Sequence, residues 1–245
     1  MDSLSKLWLG LSGWNFVDEK DGFIVVERGS LLQMRSGLSS VYTTFNRARL
    51  FTHSYWDYLS ASAAFRKGAR VLMIGLGGGT VAIQMDRWSR PRTLDVVEVN
   101  KGVADLAKRH FLGSVSCNIV VGDGATFMKG RKSAYDLIVL DAFVGLLVPK
   151  VFLGKPFVDD AFEALGDSGL LVINIISKAQ LNECVSALRG RFEVYAITPL
   201  ALGNTILVCT KNLSKSEVVE RIEGRLSDEK EAAFLVNAYA NMRPL

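Results

Sequence analysis

The chain has 245 residues, 49% of them hydrophobic and 22% charged, with a formal net charge of +4. That is apolar material for one large domain, or one domain with a small appendage, and it excludes a disordered or low-complexity chain. The basic excess is mild and scattered, which excludes the concentrated charge of a dedicated nucleic-acid binder.

The chain begins "MDSLSKLWLGLSGW", with an acid at position 2 and too short an apolar stretch for a signal peptide. No apolar run is long enough to span a bilayer, so the expectation is a soluble cytoplasmic protein with no membrane partner. Residues 1–48 form a β-rich region: Phe23–Glu27, Leu31–Arg35 and Ser40–Phe45 are short strands punctuated by "KDG", "RGS" and "SGL". They predict a small antiparallel meander. Such a sheet is marginal alone and its edges need cover, so it should pack on the rest of the chain or pair with a second copy in a homodimer. Leu50–Phe65 should be helical, with Phe51, Tyr55, Tyr58, Leu59 and Phe65 on one face.

The remaining residues, 49–245, read as one α/β domain with a helical tail. The strands are Val71–Ile74, Leu94–Val97, Asn118–Val121, Leu137–Leu140, Leu170–Ile175, Phe192–Ile197 and Thr205–Thr210. The helices between them are Val81–Arg87, Lys101–Phe111, Phe157–Leu165 and Lys178–Arg189, and Lys215–Ala240 adds one or two more. The rhythm predicts a doubly wound, mostly parallel sheet of seven strands with helices on both faces. Cys117, Cys184 and Cys209 form no CxxC and read as small buried hydrophobes. With His53 and His110 the only histidines, no histidine-rich metal site is expected.

In a doubly wound sheet ligands sit at the carboxyl ends of the strands. The first strand ends in "GLGGGT", Gly75–Thr80, directly before a helix, where a bending backbone and free N–H groups can cradle a ligand. The next three strands end in Glu98, Asp123 and Asp141. The loop lacks the lysine of a triphosphate-binding loop, and Thr80 stands where a dinucleotide fingerprint needs its third glycine. Glu98 fits a carboxylate accepting both ribose hydroxyls of a nucleoside, and the further acids suit a cationic ligand.

"VLMIGLGGGT", "LDVVEVNKGVADLAKRHF", "NIVVGDGATFM" and "YDLIVLDAF" resemble, in order and spacing, the motifs of class I S-adenosylmethionine-dependent transferases, and most closely the spermidine synthase-like branch. The resemblance implies a Rossmann-like methyltransferase fold over about residues 20–210, with S-adenosylmethionine or its decarboxylated form as cofactor. It implies that Gly75, Gly77, Gly78 and Gly79 approach the methionine part. Glu98 takes the ribose, with Val99 beside it, and Asp123, Gly124 and Ala125 edge the adenine. Asp141 lies nearest the reacting end, as a cofactor ligand or as the catalytic proton acceptor.

Aminopropyltransferases of this branch carry "GGGDGG" in the loop and "DxxD" after the fourth strand. Here the corresponding positions are Gly78 and Val144. A loop acid would repel the carboxylate of ordinary S-adenosylmethionine, by up to about 4 kcal/mol at about 4 Å and an effective dielectric of about 20. Its absence favours methyl transfer, to an acceptor the sequence does not identify. Phe143, with Val144, Leu146 and Leu147, offers an apolar wall to that acceptor, and Tyr42 is a second candidate for lining it. His53 reads as a packed or surface histidine. Aminopropyl transfer to a polyamine stays as the alternative, and a non-catalytic interaction module as a third reading.

Overall fold

The computed structural model describes residues 8–38, 40–199, 203–227 and 229–245. The turn signals near the N-terminus give one more strand than expected. β1 (Asn15–Lys20), β2 (Phe23–Arg28), β3 (Leu31–Ser36) and β4 (Ser40–Asn46) form an antiparallel sheet in chain order. Asp21 and Gly22 both adopt positive φ between β1 and β2, the conformation that a two-residue hairpin turn of the right twist requires. β1, "NFVDEK", carries too few apolar residues to register as a strand, and it lies at the edge of the sheet, where charge discourages unwanted pairing.

The second sheet holds all seven expected strands: β5 (Arg70–Ile74), β6 (Thr93–Glu98), β7 (Asn118–Val121), β8 (Tyr135–Leu140), β9 (Leu165–Ile175), β10 (Glu193–Ile197) and β11 (Thr205–Thr210). An eighth, β12 (Arg243–Pro244), pairs with the outer edge of β10, giving the order β12-β10-β11-β9-β8-β5-β6-β7. β5 to β9 pair in parallel, while β10, β11 and β12 run antiparallel to their neighbours. The chain leaves β5 for β6 on one side and returns to β8 on the other, so the crevice between β5 and β8 is the switch point where such sheets take ligands.

The helices are α1 (Tyr55–Ala61), α2 (Thr80–Trp88), α3 (Lys101–His110), α4 (Gly124–Met128), α5 (Lys155–Ala164), α6 (Lys178–Leu188), α7 (Lys215–Leu226) and α8 (Ala233–Ala240). Residues alternate across the sheet into two cores. Val71, Met73, Val139 and Val172 meet one set of helices through Leu59, Met85, Leu106, Ile222 and Leu235. Leu72, Ile74, Leu140 and Ile173 meet the other set through Met128, Phe157 and Leu188. Strands covered on both faces are apolar throughout, as the runs "VLMI" and "LIVL" show.

Three local expectations change. The helix expected from Leu50 begins only at Tyr55 and gives way to a 3-10 turn at Ser62–Phe65. The fully buried Asp57 carboxylate accepts from the backbone N–H groups of Thr52 and His53, and His53 sits at φ +53, so the apolar spacing continues while the helix does not. α4 was not expected. Five residues are too few to show a period, and Asp123 starts the helix by accepting from the Thr126 N–H. β9 begins at Leu165, ahead of the expected Leu170, with a bulge against β8 between Tyr135 and Leu137. Cys184 and Cys209 are buried and Cys117 is partly covered, all three as free thiols. No helix among the described residues is long and apolar enough to cross a membrane.

Candidate active site

The carboxyl ends of β5 and β8 meet first through backbone. The Asp141 N–H donates to the Ile74 carbonyl at 2.9 Å, and the Gly75 N–H donates to the Val97 carbonyl at 2.8 Å. Gly75 has φ +93, and a Cβ there would stand 2.2 Å from the Asp141 carbonyl oxygen, so only glycine lets the two strand ends close together. The loop is stitched on its other side to the meander. Thr43 Oγ1 of β4 accepts from the Gly78 N–H at 2.8 Å, and the Thr80 hydroxyl donates to the Thr44 carbonyl. The β-carbon directions of Gly77, Gly78 and Gly79 are taken up by Thr43, Phe111 and Leu112. The sequence did not single out Thr43, since no loop motif reaches across 35 residues to it.

This packing revises the meaning of Gly78. A side chain there would come within 2.7 Å of Thr43 Cγ2 and 2.9 Å of the Phe111 ring. The missing loop acid therefore has a packing cause in this chain, and its absence alone does not select a cofactor.

At the end of β6, Glu98 is buried. Its Oε2 accepts from the Leu76 N–H at 3.0 Å and its Oε1 from the Asn100 N–H at 2.9 Å. Two backbone donors fix the carboxylate against the glycine loop and leave it further lone pairs. Val99, directly after it, is 74% exposed, and Val121 at the end of β7 is also exposed. A carboxylate beside bare apolar side chains on one edge fits a nucleoside, its hydroxyls to the first and its base to the second. Asp123 is exposed at the end of β7 and caps α4. Gly124 packs so closely on Ile74 that a Cβ would lie 2.4 Å from Cγ2, which brings the start of α4 against the end of β5, with Ala125 next in α4.

Asp141 differs. It is partly covered, and its Oδ1 accepts from Asn174 Nδ2 at 2.8 Å. Burial pushes its carboxyl up to about 6, and the Asn174 bond pulls the other way. Asn174, on β9, is fully buried and accepts in turn from Asn204 Nδ2 at 2.9 Å. From α1, Tyr55 faces Asp141 closely enough that burial, and then the carboxylate's charge, hold its phenol neutral, well above the ordinary tyrosine range. Sequence reasoning placed Tyr55 on a core face and passed over Asn174. The one signal for Asn174 was a lone polar residue inside "LLVINI".

After Asp141 the chain turns through a hairpin. The Val144 N–H donates to the Leu147 carbonyl at 2.9 Å, and Gly145 turns at φ +63. Gln180 of α6 pins its base by bonding both the N–H and the carbonyl of Val148. Phe143 packs partly into the core, whereas Val144 and Leu146 are 73% and 70% exposed, so the tip rather than Phe143 presents the apolar face. The Tyr42 carbonyl borders Gly77, while its ring stands edge-on to Phe23 at 5.1 Å. His53 is exposed and leans on the ring of Phe234.

Comparison with known proteins gives a consistent picture. A family model described as the spermine/spermidine synthase domain matches residues 52–188, more than half of the chain. A polyamine aminopropyltransferase of Vibrio vulnificus is 33% identical over 153 residues, 58% of this chain and 50% of its own length. A probable polyamine aminopropyl transferase of Bifidobacterium longum is 26% identical over 183 residues, 73% of this chain and 40% of its own. The chain thus spans about half or less of the length of these curated relatives. Among solved structures, a probable spermidine synthase from Corynebacterium glutamicum superposes with a TM-score of 0.65 at 19% identity, covering 84% of this chain and 86% of that one. Human methyltransferase-like protein 13, solved in complex with SAH, gives 0.60 at 19% identity, covering 71% and 90%. Likeness at this level of identity is likeness of fold.

Proposed function

This chain belongs to the spermine/spermidine synthase domain family, and on that premise we propose that it is a transferase moving an aminopropyl group from decarboxylated S-adenosylmethionine to an amine acceptor. The observation that carries this reading is the placing of Asp141, a carboxylate at the switch point of the sheet held through one oxygen by Asn174, and burial pushes its carboxyl up to about 6. A group poised there is mostly ionised at neutral pH yet close enough in proton affinity to take a proton from an amine. Glu98 and the exposed Val99 and Val121 are the groups that would hold the adenosine. When bound, a sulfonium supplies a leaving group already activated. The acceptor nitrogen's lone pair forms the new C–N bond, the C–S bond breaks with its electrons staying on sulfur, and the nitrogen's proton passes to the Asp141 carboxylate. The apolar tip at Val144 and Leu146 would cover the acceptor's hydrocarbon body and exclude water. The relatives named polyamine aminopropyltransferase support the choice of group.

A second reading, methyl transfer from S-adenosylmethionine itself, is favoured by Val144, which stands where aminopropyltransferases of the resembled branch place a second acid. Calorimetry with S-adenosylmethionine, its decarboxylated form and methylthioadenosine separates the two. The expected result is tighter binding of the decarboxylated form, with methylthioadenosine produced on adding an amine such as putrescine. Preference for S-adenosylmethionine, with S-adenosylhomocysteine as product, replaces it with the second reading.

A further inference from the structure

Two buried amides lie in line behind Asp141. Asn174, within the apolar run "LLVINI" of β9, is fully buried, and Asn204, just ahead of β11, is 3% exposed. Polar side chains so placed are costly unless each finds a partner. Here each does: Asn204 Nδ2 to Asn174 Oδ1 at 2.9 Å, then Asn174 Nδ2 to Asp141 Oδ1 at 2.8 Å.

The order of donors matters. An amide has one accepting and one donating end of nearly equal shape. Turned the other way, Asn174 would set its oxygen against the Asp141 carboxylate. The Asn204 N–H occupies the Asn174 oxygen and so points the donating end at Asp141. Because β11 runs antiparallel to β9, with Ile206 opposite Asn174, Asn204 sits just ahead of β11 at the same end of the sheet as Asp141. The pair therefore ties the segment that enters β11 to the end of β8. Oδ1 of Asp141 is engaged by Asn174, which leaves Oδ2 as the oxygen for an incoming proton.

We infer that Asn174 and Asn204 are positioning residues, which fix the rotamer of Asp141 and hold its outer oxygen toward the acceptor. The inference rests on the role given to Asp141 above. Two opposing influences set the carboxyl's proton affinity, burial raising it and the Asn174 bond lowering it, and Tyr55 of α1 is the titratable group that faces it. Loss of the donated bond should therefore raise the midpoint of Asp141.

The test is a carbon-13 NMR titration of the aspartate carboxyls in the full-length protein, with Asp141 assigned by the resonance missing from Asp141→Asn. Asn174→Leu, which keeps the branching and the number of heavy atoms and removes the donor, should move the Asp141 midpoint up by about one pH unit. Asn204→Ala, which removes the donor that orients Asn174, should move it up by about half as much and serves if Asn174→Leu does not fold. The acid limb of the kcat/KM profile should move by the same amounts. A merely structural pair of asparagines would lower the melting temperature and leave the midpoint where it was. An unmoved midpoint in a folded Asn204→Ala protein overturns the inference. Because the titration needs no turnover, shifted midpoints in a protein that transfers nothing would sink the proposed function and leave standing only that the two asparagines set the orientation and proton affinity of Asp141.

Discussion

The site has two halves, one on each side of β5. On the β6–β7 side, Glu98 is held by main-chain donors from its own and the neighbouring strand end, and the glycine loop is packed against Thr43, Phe111 and Leu112. On the β8–β9–β11 side, Asp141 depends on one side-chain donor from the neighbouring strand β9 and has its proton affinity raised by burial. The first half is a fixed cradle and the second is a tuned chemical group. A cradle gains from saturation, because every satisfied donor stiffens it. A proton acceptor gains from incomplete satisfaction, because full hydrogen bonding would pull its pKa out of the working range.

The largest effect should come from the point where the two halves touch. Gly75→Ala places a methyl carbon 2.2 Å from the Asp141 carbonyl oxygen at a positive φ that an alanine rarely adopts. We expect a loss of at least about 4 kcal/mol of stability in urea unfolding, with both halves of the site lost together. A variant that unfolds like the wild type would show that the halves do not depend on this contact.

Next is Glu98→Gln, which keeps the size and removes the charge. Two charge-assisted hydrogen bonds of about 1.5–3 kcal/mol each are at stake, so nucleoside affinity should fall about 100-fold or more in calorimetry with methylthioadenosine. Glu98→Gln keeps an acceptor for only one of the Leu76 and Asn100 N–H groups and sets an amide NH2 against the other, so urea unfolding of the variant beside the calorimetry separates lost binding from a collapsed loop.

The two halves differ just as much in how far the sequence disclosed them. The cradle was legible because its parts are contiguous: "GLGGGT", "VVEV" and "VGDGA" each contain both the strand and the residues that end it. The tuned half was legible only at Asp141. Asn174 lies 33 residues downstream and Asn204 a further 30, and their meeting is fixed by strand order, which local patterns do not encode. The packing around Gly78 was hidden for a related reason. A motif comparison registers the absence of an acid, while the crowding by Thr43 and Phe111 comes from two other elements. The strands and most helices followed from period and punctuation, but the start of α1 did not, because the buried Asp57 binds the backbone ahead of it.

Asp141→Asn should separate stability from chemistry. The folded carboxyl titrates near 6, against an ordinary value of 3.8. The folded state thus holds its proton more tightly than the unfolded chain does. Stability from this group is present below about pH 4 and is lost as pH rises toward 6. Removing the charge should therefore raise stability at pH 8 by up to about 3 kcal/mol, and much less at pH 4. Turnover should fall by about 100-fold or more. A melting temperature at pH 8 that is unchanged or lower would show that Asp141 is not strained by burial.

The smallest effect should come from an aspartate of the opposite kind. Asp18 of β1 meets His110 and Arg109 at the end of α3, and Lys20 meets Asp105 one turn earlier, so charge pairs dock the meander onto the helix that follows Glu98. The Asp18 carboxyl is held below its ordinary value, first by the His110 bond, against a desolvation cost second only to it, with a backbone bond and the nearby cations adding to the lowering. Its contribution to stability is therefore present above about pH 4 and is lost as pH falls below that, the reverse of Asp141. The pair is partly exposed, so water and salt screen it, and Asp18→Asn should cost less than about 1 kcal/mol at pH 7. The cost should shrink further in 1 M salt, whereas the gain from Asp141→Asn, whose origin is burial, should persist there. Unfolding curves for both variants at low and high salt test this directly. If Asp18→Asn were as costly as the loss of a buried contact and indifferent to salt, the meander would be integral to the cradle rather than docked upon it.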